Sequence, residues 1–161
     1  MTNENPNRQK IQYLTPEGKE KLEAELQALK NNGRRSIAER LKHAISMGDL
    51  SENADYHKAK EDQGFLEGRI QEIEAILYHA EVIETKPKYD SVVVGAKVTI
   101  QEEDYPPETY LLVGSQEANP SEGKISHESP IGKALLGHQV GDMVTAILPN
   151  GTIQLEILAI E

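Results

Sequence analysis

One segment of the chain carries a heptad pattern, and this pattern constrains the fold more than any other feature. Between residues 56 and 77, mostly apolar residues recur at alternating steps of three and four. A mean repeat of 3.5 residues is typical of the buried seam of a coiled coil. The predicted seam consists of Tyr56, Ala59, Gln63, Leu66, Ile70, Ile73 and Leu77. We therefore expect a long amphipathic helix that packs against a partner helix.

A second helical pattern precedes the first one. Thr15 and Pro16 predict a helix start, with threonine as the N-cap and proline at the first helical position. Helical spacing then continues through Leu22, Leu26, Leu29, Ile37, Leu41, Ala44 and Gly48. The Asn-Asn-Gly run at residues 31–33 interrupts the phase and predicts a kink or a loosened turn. Residues 13–85 are therefore expected to form an antiparallel coiled-coil hairpin, about 45 Å long for some 30 residues per arm.

The rest of the chain changes to a strand pattern after a linker at residues 86–91. Apolar, β-rich runs occur at residues 92–94, 98–100, 109–113 and 143–158. The Pro-Asn-Gly joint at 149–151 predicts a β-hairpin. Residues 129–137 predict a short helix, with proline at its first position and glycine just past its end. Residues 92–161 are expected to form a compact α+β domain, and residues 1–12 a flexible polar extension.

The composition excludes several classes of function. The chain of 161 residues has no cysteine, which excludes disulfides and thiolate metal sites. No apolar run approaches membrane-spanning length, so we expect a cytoplasmic protein without a membrane partner. The formal net charge of −10 argues against non-specific binding along duplex nucleic acid. No P-loop, zinc-protease or serine-hydrolase motif occurs.

The segment between the two predicted helices concentrates carboxylates. Asp49, Glu52 and Asp55 fall within seven residues and are spaced three apart. In one interpretation, Asp49 and Glu52 form a D-x-x-E capping box for the returning helix. Capping leaves Asp55 unexplained, because it would lie beyond the useful first turn. In the other interpretation, these oxygens supply part of a Mg²⁺ shell that another macromolecule completes.

Basic residues cluster just behind the acidic segment. Residues 34–60 contain one acid, Glu39, outside the three acids at the bend. The six basic residues are Arg34, Arg35, Arg40, Lys42, Lys58 and Lys60. Each alone is typical of a solvated face, but the group favours attraction of a phosphate backbone close to the metal. Together the acids and bases predict phosphoryl chemistry inside a partner that the hairpin enters.

Four segments in order resemble the Gre family of bacterial transcription elongation factors, most closely its GreA branch. Residues 48–56, GDLSENADY, are similar to the tip motif of the family, and residues 125–137, ISHESPIGKALLG, to its C-terminal signature. Residues 14–26 and 59–70 resemble its opening and returning helices. The resemblance covers nearly the whole chain except residues 1–12.

This resemblance implies an accessory factor that is not itself an enzyme. The coiled coil would enter the secondary channel of RNA polymerase, and a C-terminal domain similar to FK506-binding proteins would dock at the channel rim. Asp49 and Glu52 would hold a second Mg²⁺ jointly with the polymerase, and would position the water that hydrolyses the 3′ end of backtracked RNA. The free protein, expected to be a monomer, would bind no cofactor stably.

The resemblance also implies supporting roles. The tip would be supported by Ser51, Asn53, Asp55 and Tyr56. The extruded RNA would be contacted by Arg40, Lys42 and Lys60. Two positions depart from the family, since Asp55 stands where glutamate is common and Ser36 where proline often occurs.

Three other functions remain open from the sequence. A Gre-like factor could occupy the polymerase channel and inhibit it without cleavage, although the intact tip segment favours cleavage. A scaffold or chaperone hairpin could use the acids only as caps. A prolyl isomerase ranks last, because Tyr105 and Tyr110 are the only aromatic residues in the predicted domain.

Overall fold

The computed structural model describes residues 11–49 and 51–161, which belong to two compact units. One unit consists of residues 19–79. The other combines the segment that precedes residue 19 with residues 80–161. The predicted α+β class, with a helical hairpin that precedes a β-sheet domain, is confirmed.

The hairpin has two long helical arms. The first arm comprises α1 (Pro16–Ala28), a π-helical turn (Leu29–Gly33) and α2 (Arg34–Ser46), and the second is α3 (Ala54–His79). Its buried apolar residues are Leu22, Ile37, Ala44, Ala59, Ile70, Ile73 and Ile76. Every predicted seam residue of α3 is buried or half-buried, and Ile76, which the prediction left out, is buried next to the half-buried Leu77. Gly48 is exposed and lies beyond the end of α2.

The predicted interruption of the first arm is a π-helical turn, which has a physical cause. Positions 29, 33, 37 and 41 lie four residues apart, and a stripe with this spacing drifts off one face of a helix with 3.6 residues per turn. One wider turn restores the phase, so that Leu22 before it and Ile37 after it are both buried. Gly33 also permits a close approach, because a Cβ there would lie 2.9 Å from Leu66 Cδ1.

Ion pairs connect the two arms along their edges. Arg34 binds Glu67 through two bonds of 2.9 Å, and Arg69 binds Glu25 at 2.8 and 3.0 Å. The Arg69 guanidinium holds the pKa of the Glu25 carboxyl below its usual range. Exposed pairs of this kind contribute roughly 0–1 kcal/mol each. The apolar seam therefore stabilises the hairpin, and the ion pairs help to fix its register.

The other unit is built on two sheets. A small parallel sheet pairs β1 (Gln12–Leu14) with β2 (Ala80–Val82). The larger sheet consists of β3 (Lys97–Glu102), β4 (Glu108–Val113), β5 (Lys124–Ser126), β6 (Met143–Leu148) and β7 (Gly151–Ile160). Its strand order is β5-β4-β3-β7-β6, and α4 (Pro130–Leu135) packs against it. The buried core includes Val98, Leu112, Leu135 and Ile157.

Two local predictions for this unit are confirmed. The joint at 149–151 is a β-hairpin in which Leu148 lies opposite Gly151. The short helix α4 begins after Ser129, whose Oγ accepts a hydrogen bond from the Gly132 N–H at 3.1 Å. Gly137 follows the helix with φ +80°, a conformation that favours glycine.

The structure differs from the sequence prediction at other places. Residues 92–94 form no strand: Val92 is buried in a loop, where its N–H donates to His138 O and its carbonyl accepts from Gly137 N–H, both at 2.8 Å. These two bonds satisfy the buried backbone without a sheet partner. Gln12 begins β1, whereas the rest of the predicted flexible extension, through residue 10, lies outside the described residues.

Candidate functional site at the hairpin bend

The acidic segment forms the bend of the hairpin. Helix α2 ends at Ser46, and the Met47 N–H donates to Ala44 O at 3.2 Å. Gly48 then adopts φ +129°, in a region of backbone conformation that residues other than glycine rarely enter. Met47 is exposed. The glycine that the sequence places in front of the acids therefore has a conformational role in turning the chain out of α2.

Asp49 is fixed by a local hydrogen-bonded turn. Its Oδ1 accepts from the Ser51 backbone N–H at 3.0 Å and from the Ser51 hydroxyl at 2.9 Å. These bonds, the backbone one first, lower the pKa of the Asp49 carboxyl from its usual value. Asp49 is therefore an ionised, exposed carboxylate with a defined orientation at neutral pH. The resemblance implied that Ser51 supports the tip, but the sequence did not pair it with Asp49.

The cap of the returning helix is Asn53, and the capping-box interpretation of Asp49 and Glu52 is wrong. Helix α3 begins at Ala54, and the Asn53 Oδ1 accepts from the Tyr56 N–H at 3.0 Å. The Asn53 Nδ2 donates to Ala44 O at 2.7 Å and so joins the last turn of α2 to the first turn of α3. One amide side chain thus closes the bend from both sides, and neither acid is needed as the cap.

The other two acids are exposed as well. Glu52 precedes the cap residue, and Asp55 is the second residue of α3. Asp55 therefore lies inside the first turn, which corrects the expectation that it lies beyond it. A carboxylate there interacts favourably with the positive end of the helix dipole. A structural reason thus exists for Asp55, whereas capping accounts for neither Asp49 nor Glu52.

Tyr56 lies where the bend joins the buried seam. Its side chain is half-buried, and its ring contacts the His57 ring edge-on at a centroid distance of 5.7 Å. Ala44 and Ala59, on opposite arms, are almost completely buried. Small side chains at both positions allow the arms to come close, which brings Asn53 within reach of the Ala44 carbonyl.

The basic residues behind the bend differ in their partners. Arg40 Nη1 lies 2.9 Å from Asp62 Oδ2, and Lys58 Nζ lies 3.2 Å from Asp62 Oδ1. These two cations, Arg40 first, lower the pKa of the Asp62 carboxyl. In the described part of the chain, Lys42 and Lys60 form no ion pair, although Lys60 donates to Gln63 Oε1 at 3.0 Å. The charges of Lys42 and Lys60 are therefore better placed than that of Arg40 to meet an external phosphate.

A groove beside the bend connects the basic residues to Asp55. Its volume is about 390 Å³. It is lined by Ser36, Glu39, Arg40, His43, Ala44, Asp55 and Lys58. Sequence reasoning singled out several of these residues but did not predict the groove, because its walls come from both arms and depend on their register.

The bend offers carboxylate oxygens that could bind Mg²⁺, but they would form only part of its ligand shell. Among the described residues, no three His, Cys, Asp or Glu side chains come together as a metal site. Asp49 and Glu52 offer carboxylate oxygens, the donor type that Mg²⁺ prefers, and Mg²⁺ is commonly held by one or two protein carboxylates. The bend therefore suits a metal whose other ligands come from elsewhere.

None of the helices in the described part of the chain is long and apolar enough to cross a membrane.

Comparisons with known proteins define the class. Residues 12–82 match the N-terminal family model of transcription elongation factors, and residues 86–161 match the GreA/GreB C-terminal model. The chain belongs to the GreA/GreB family of transcription elongation factors, which confirms the resemblance seen in four segments of the sequence.

Two relatives that are named GreA align with most of the chain. The chain is 51% identical to the transcription elongation factor GreA of Thermoanaerobacter pseudethanolicus over 149 residues, which cover 91% of this chain and 95% of that protein. It is 48% identical to GreA of Acetivibrio thermocellus over 149 residues, with coverages of 91% and 94%. A crystal structure of GreA factor homolog 1 of Thermus thermophilus aligns with a TM-score of 0.44 and 28% identity, and covers 94% of this chain and 99% of that one.

Proposed function

We propose that this protein inserts the bend of its hairpin into the secondary channel of RNA polymerase and stimulates hydrolysis of the 3′ end of backtracked RNA. The polymerase is the enzyme, and this chain is an accessory factor that supplies carboxylates to its active site. The observation that carries the proposal is the Asp49 carboxylate, ionised and oriented by Ser51 at the bend of a hairpin from a family of elongation factors.

The chain contributes positioned oxygens. Asp49 and Glu52 would hold a Mg²⁺ jointly with the polymerase, and that ion would lower the pKa of a water and neutralise charge on the scissile phosphate. Ser51 orients Asp49, and Asn53 fixes the bend to both arms, so that little conformational entropy is lost when the carboxylates meet the polymerase. Pre-organisation of this kind favours a rapid reaction.

Lys42 and Lys60 would attract the extruded RNA. Both are exposed, and both lie within the basic cluster behind the bend. Their attraction for phosphate acts through solvent, so salt should weaken it. Arg40 has a weaker claim to this role because it already binds Asp62, and a shift of Arg40 from Asp62 to phosphate would exchange one ion pair for another.

The experiment follows RNA length in stalled, backtracked elongation complexes with the full chain and Mg²⁺. We expect 3′ shortening followed by resumed synthesis. Asp49→Ala and Glu52→Ala should each abolish the shortening while the circular dichroism spectrum and binding to the complex remain unchanged. Glu20→Gln, an exposed acid on α1, is the matched control and should cleave like the parent chain.

Two outcomes would contradict the proposal. Stalled synthesis without any shortening would indicate a channel-binding inhibitor, the alternative kept open from the sequence. Full activity of both alanine variants would show that the acids at the bend do not supply the metal ligands.

A further inference from the structure

The basic residues near the bend lie on two opposite edges of the hairpin. Arg40 and Lys58 share one edge, because both bind Asp62, at 2.9 and 3.2 Å. Lys42 and Lys60 each follow one of these residues by two positions, which is a rotation of about 200° around a helix. They therefore lie on the opposite edge, and the basic cluster presents two separate surfaces to a partner.

Asp62 offsets the positive charge of the first edge from within the molecule. Its side chain is 28% exposed, whereas those of Arg40 and Lys58 are 47% and 60% exposed. The two cations, Arg40 first, hold the pKa of the Asp62 carboxyl below its usual range, so that it is ionised at neutral pH. Lys58 Nζ also lies 3.1 Å from Glu61 Oε2. Removal of the Asp62 charge would therefore release Arg40 from its ion pair and leave Lys58 with a second partner.

On the opposite edge, neither lysine is paired with an acid among the described residues. Lys60 donates instead to the neutral Gln63 side chain, at 3.0 Å from Oε1, and both Lys42 and Lys60 are exposed. Each edge thus has two permanent cations, but their attraction for phosphate differs. The Asp62 carboxylate occupies the cations of the first edge and would repel an approaching RNA backbone, whereas the second edge attracts it.

We propose that Asp62 is a specificity-determining residue, which excludes RNA from the Arg40 edge and confines it to the edge of Lys42 and Lys60. This inference rests on the proposed function, since it concerns how the extruded RNA is held. Arg40 is a phosphate contact that Asp62 keeps occupied. Because exposed ion pairs contribute little to stability, removal of the Asp62 charge changes the contact with RNA without unfolding the hairpin.

The test measures the concentration of the full chain that gives half-maximal cleavage of backtracked complexes, at low and at high salt. Asp62→Asn should need about threefold less protein than the parent chain at low salt, because Arg40 becomes free to bind phosphate, and this gain should shrink at high salt. The matched control is Glu25→Gln. It removes one negative charge from another inter-arm pair, with Arg69, and should act like the parent chain.

A second substitution shows whether the gain comes from Arg40. Arg40→Gln should raise the half-maximal concentration more in the Asp62→Asn background than in the parent chain, where Asp62 occupies the arginine. Equal effects of Arg40→Gln in both backgrounds, or the same gain from Glu25→Gln, would overturn the proposal. An Asp62→Asn chain that acts like a cleaving parent chain would refute this inference alone. A parent chain without cleavage would refute the proposed function and this inference with it.

Discussion

Replacement of the bend asparagine by alanine should destabilise the hairpin by about 2 kcal/mol. Asn53→Ala removes an N-cap bond to Tyr56 N–H, which is worth ~1 kcal/mol in similar helices. It also removes the bond from Nδ2 to Ala44 O at 2.7 Å, for which a loss of roughly 0.5–1.5 kcal/mol is typical. Because both bonds come from one partly buried side chain, the two losses should occur together.

Urea denaturation of the full chain, followed by helical circular dichroism, measures this loss. Asn53→Ser is the informative companion, because serine keeps an N-capping oxygen for α3 and loses the amide donor to Ala44 O. We expect Asn53→Ser to cost about half as much as Asn53→Ala. Ser46→Ala is the matched control; it removes an exposed hydroxyl that bonds His43 O within α2, and should cost less than 0.5 kcal/mol, roughly the limit for ordinary surface changes.

The reasoning would be refuted if Asn53→Ala unfolded within about 0.5 kcal/mol of the parent chain, which is the scale of an ordinary surface substitution. Equal losses for Asn53→Ala and Asn53→Ser would show instead that the cap to Tyr56 contributes nothing. A parent-like Asn53→Ala chain with reduced transcript cleavage would place Asn53 in contact with the polymerase.

Three further predictions concern the bend and its surroundings. NMR titration should find the Asp49 pKa below the usual value. Ser51→Ala removes the hydroxyl bond and keeps the backbone N–H, so it should raise this pKa only part of the way, and an unmoved pKa would refute the hydroxyl bond as a cause. Because folding lowers this pKa, the associated stability is present above the unfolded pKa and is lost as pH falls through the folded one. Gly48→Ala should cost about 1–3 kcal/mol in urea denaturation, because φ +129° is strained for alanine, and a neutral effect would contradict this. Lys60→Glu should reduce transcript cleavage in a salt-dependent way, whereas a reduction that salt leaves unchanged would exclude attraction of RNA.

The helical hairpin was predictable because its signal is repeated many times. All seven predicted seam positions of α3 are buried or half-buried, so that the omission of the buried Ile76 does not alter the element. The interruption at residues 31–33 was predictable from its composition. Its form as a π-helical turn was implicit in the four-residue steps from Leu29 to Leu41, which require more than 3.6 residues per turn.

For the bend, the sequence indicated which residues matter but did not predict the hydrogen bonds that they form. Asp49 and Glu52 match the D-x-x-E signature of a capping box, but α3 begins five residues after Asp49 and Asn53 is the cap. An asparagine immediately before Ala54 was a competing N-cap signal in the sequence. The hydrogen bond from Asn53 to Ala44 could not be predicted from the sequence, because a contact across nine residues depends on how the two arms pack.

In the sheet domain, the limits of prediction came from short and irregular elements. Strands β1, β2 and β5 have three residues each, too few for an alternating pattern to be distinguished from a loop. Val92 is apolar and β-branched, which predicts a strand residue. It lies instead in a buried loop, where two backbone hydrogen bonds connect it to the segment after α4. Tyr105 and Tyr110 were visible as the domain's aromatic residues, but only the register of β3, β4 and β7 places them at one pocket.

The Mg²⁺ dependence of transcript cleavage tests the central claim most directly. The claim is that Asp49 and Glu52 supply metal ligands to the polymerase. Cleavage rates of backtracked complexes, measured over a range of Mg²⁺ concentrations, should show that Glu52→Gln needs at least tenfold more Mg²⁺ for half-maximal rate while its affinity for the complex is unchanged. A Glu52→Gln variant that is slower at every Mg²⁺ concentration, with the half-maximal concentration of the parent chain, would contradict the account.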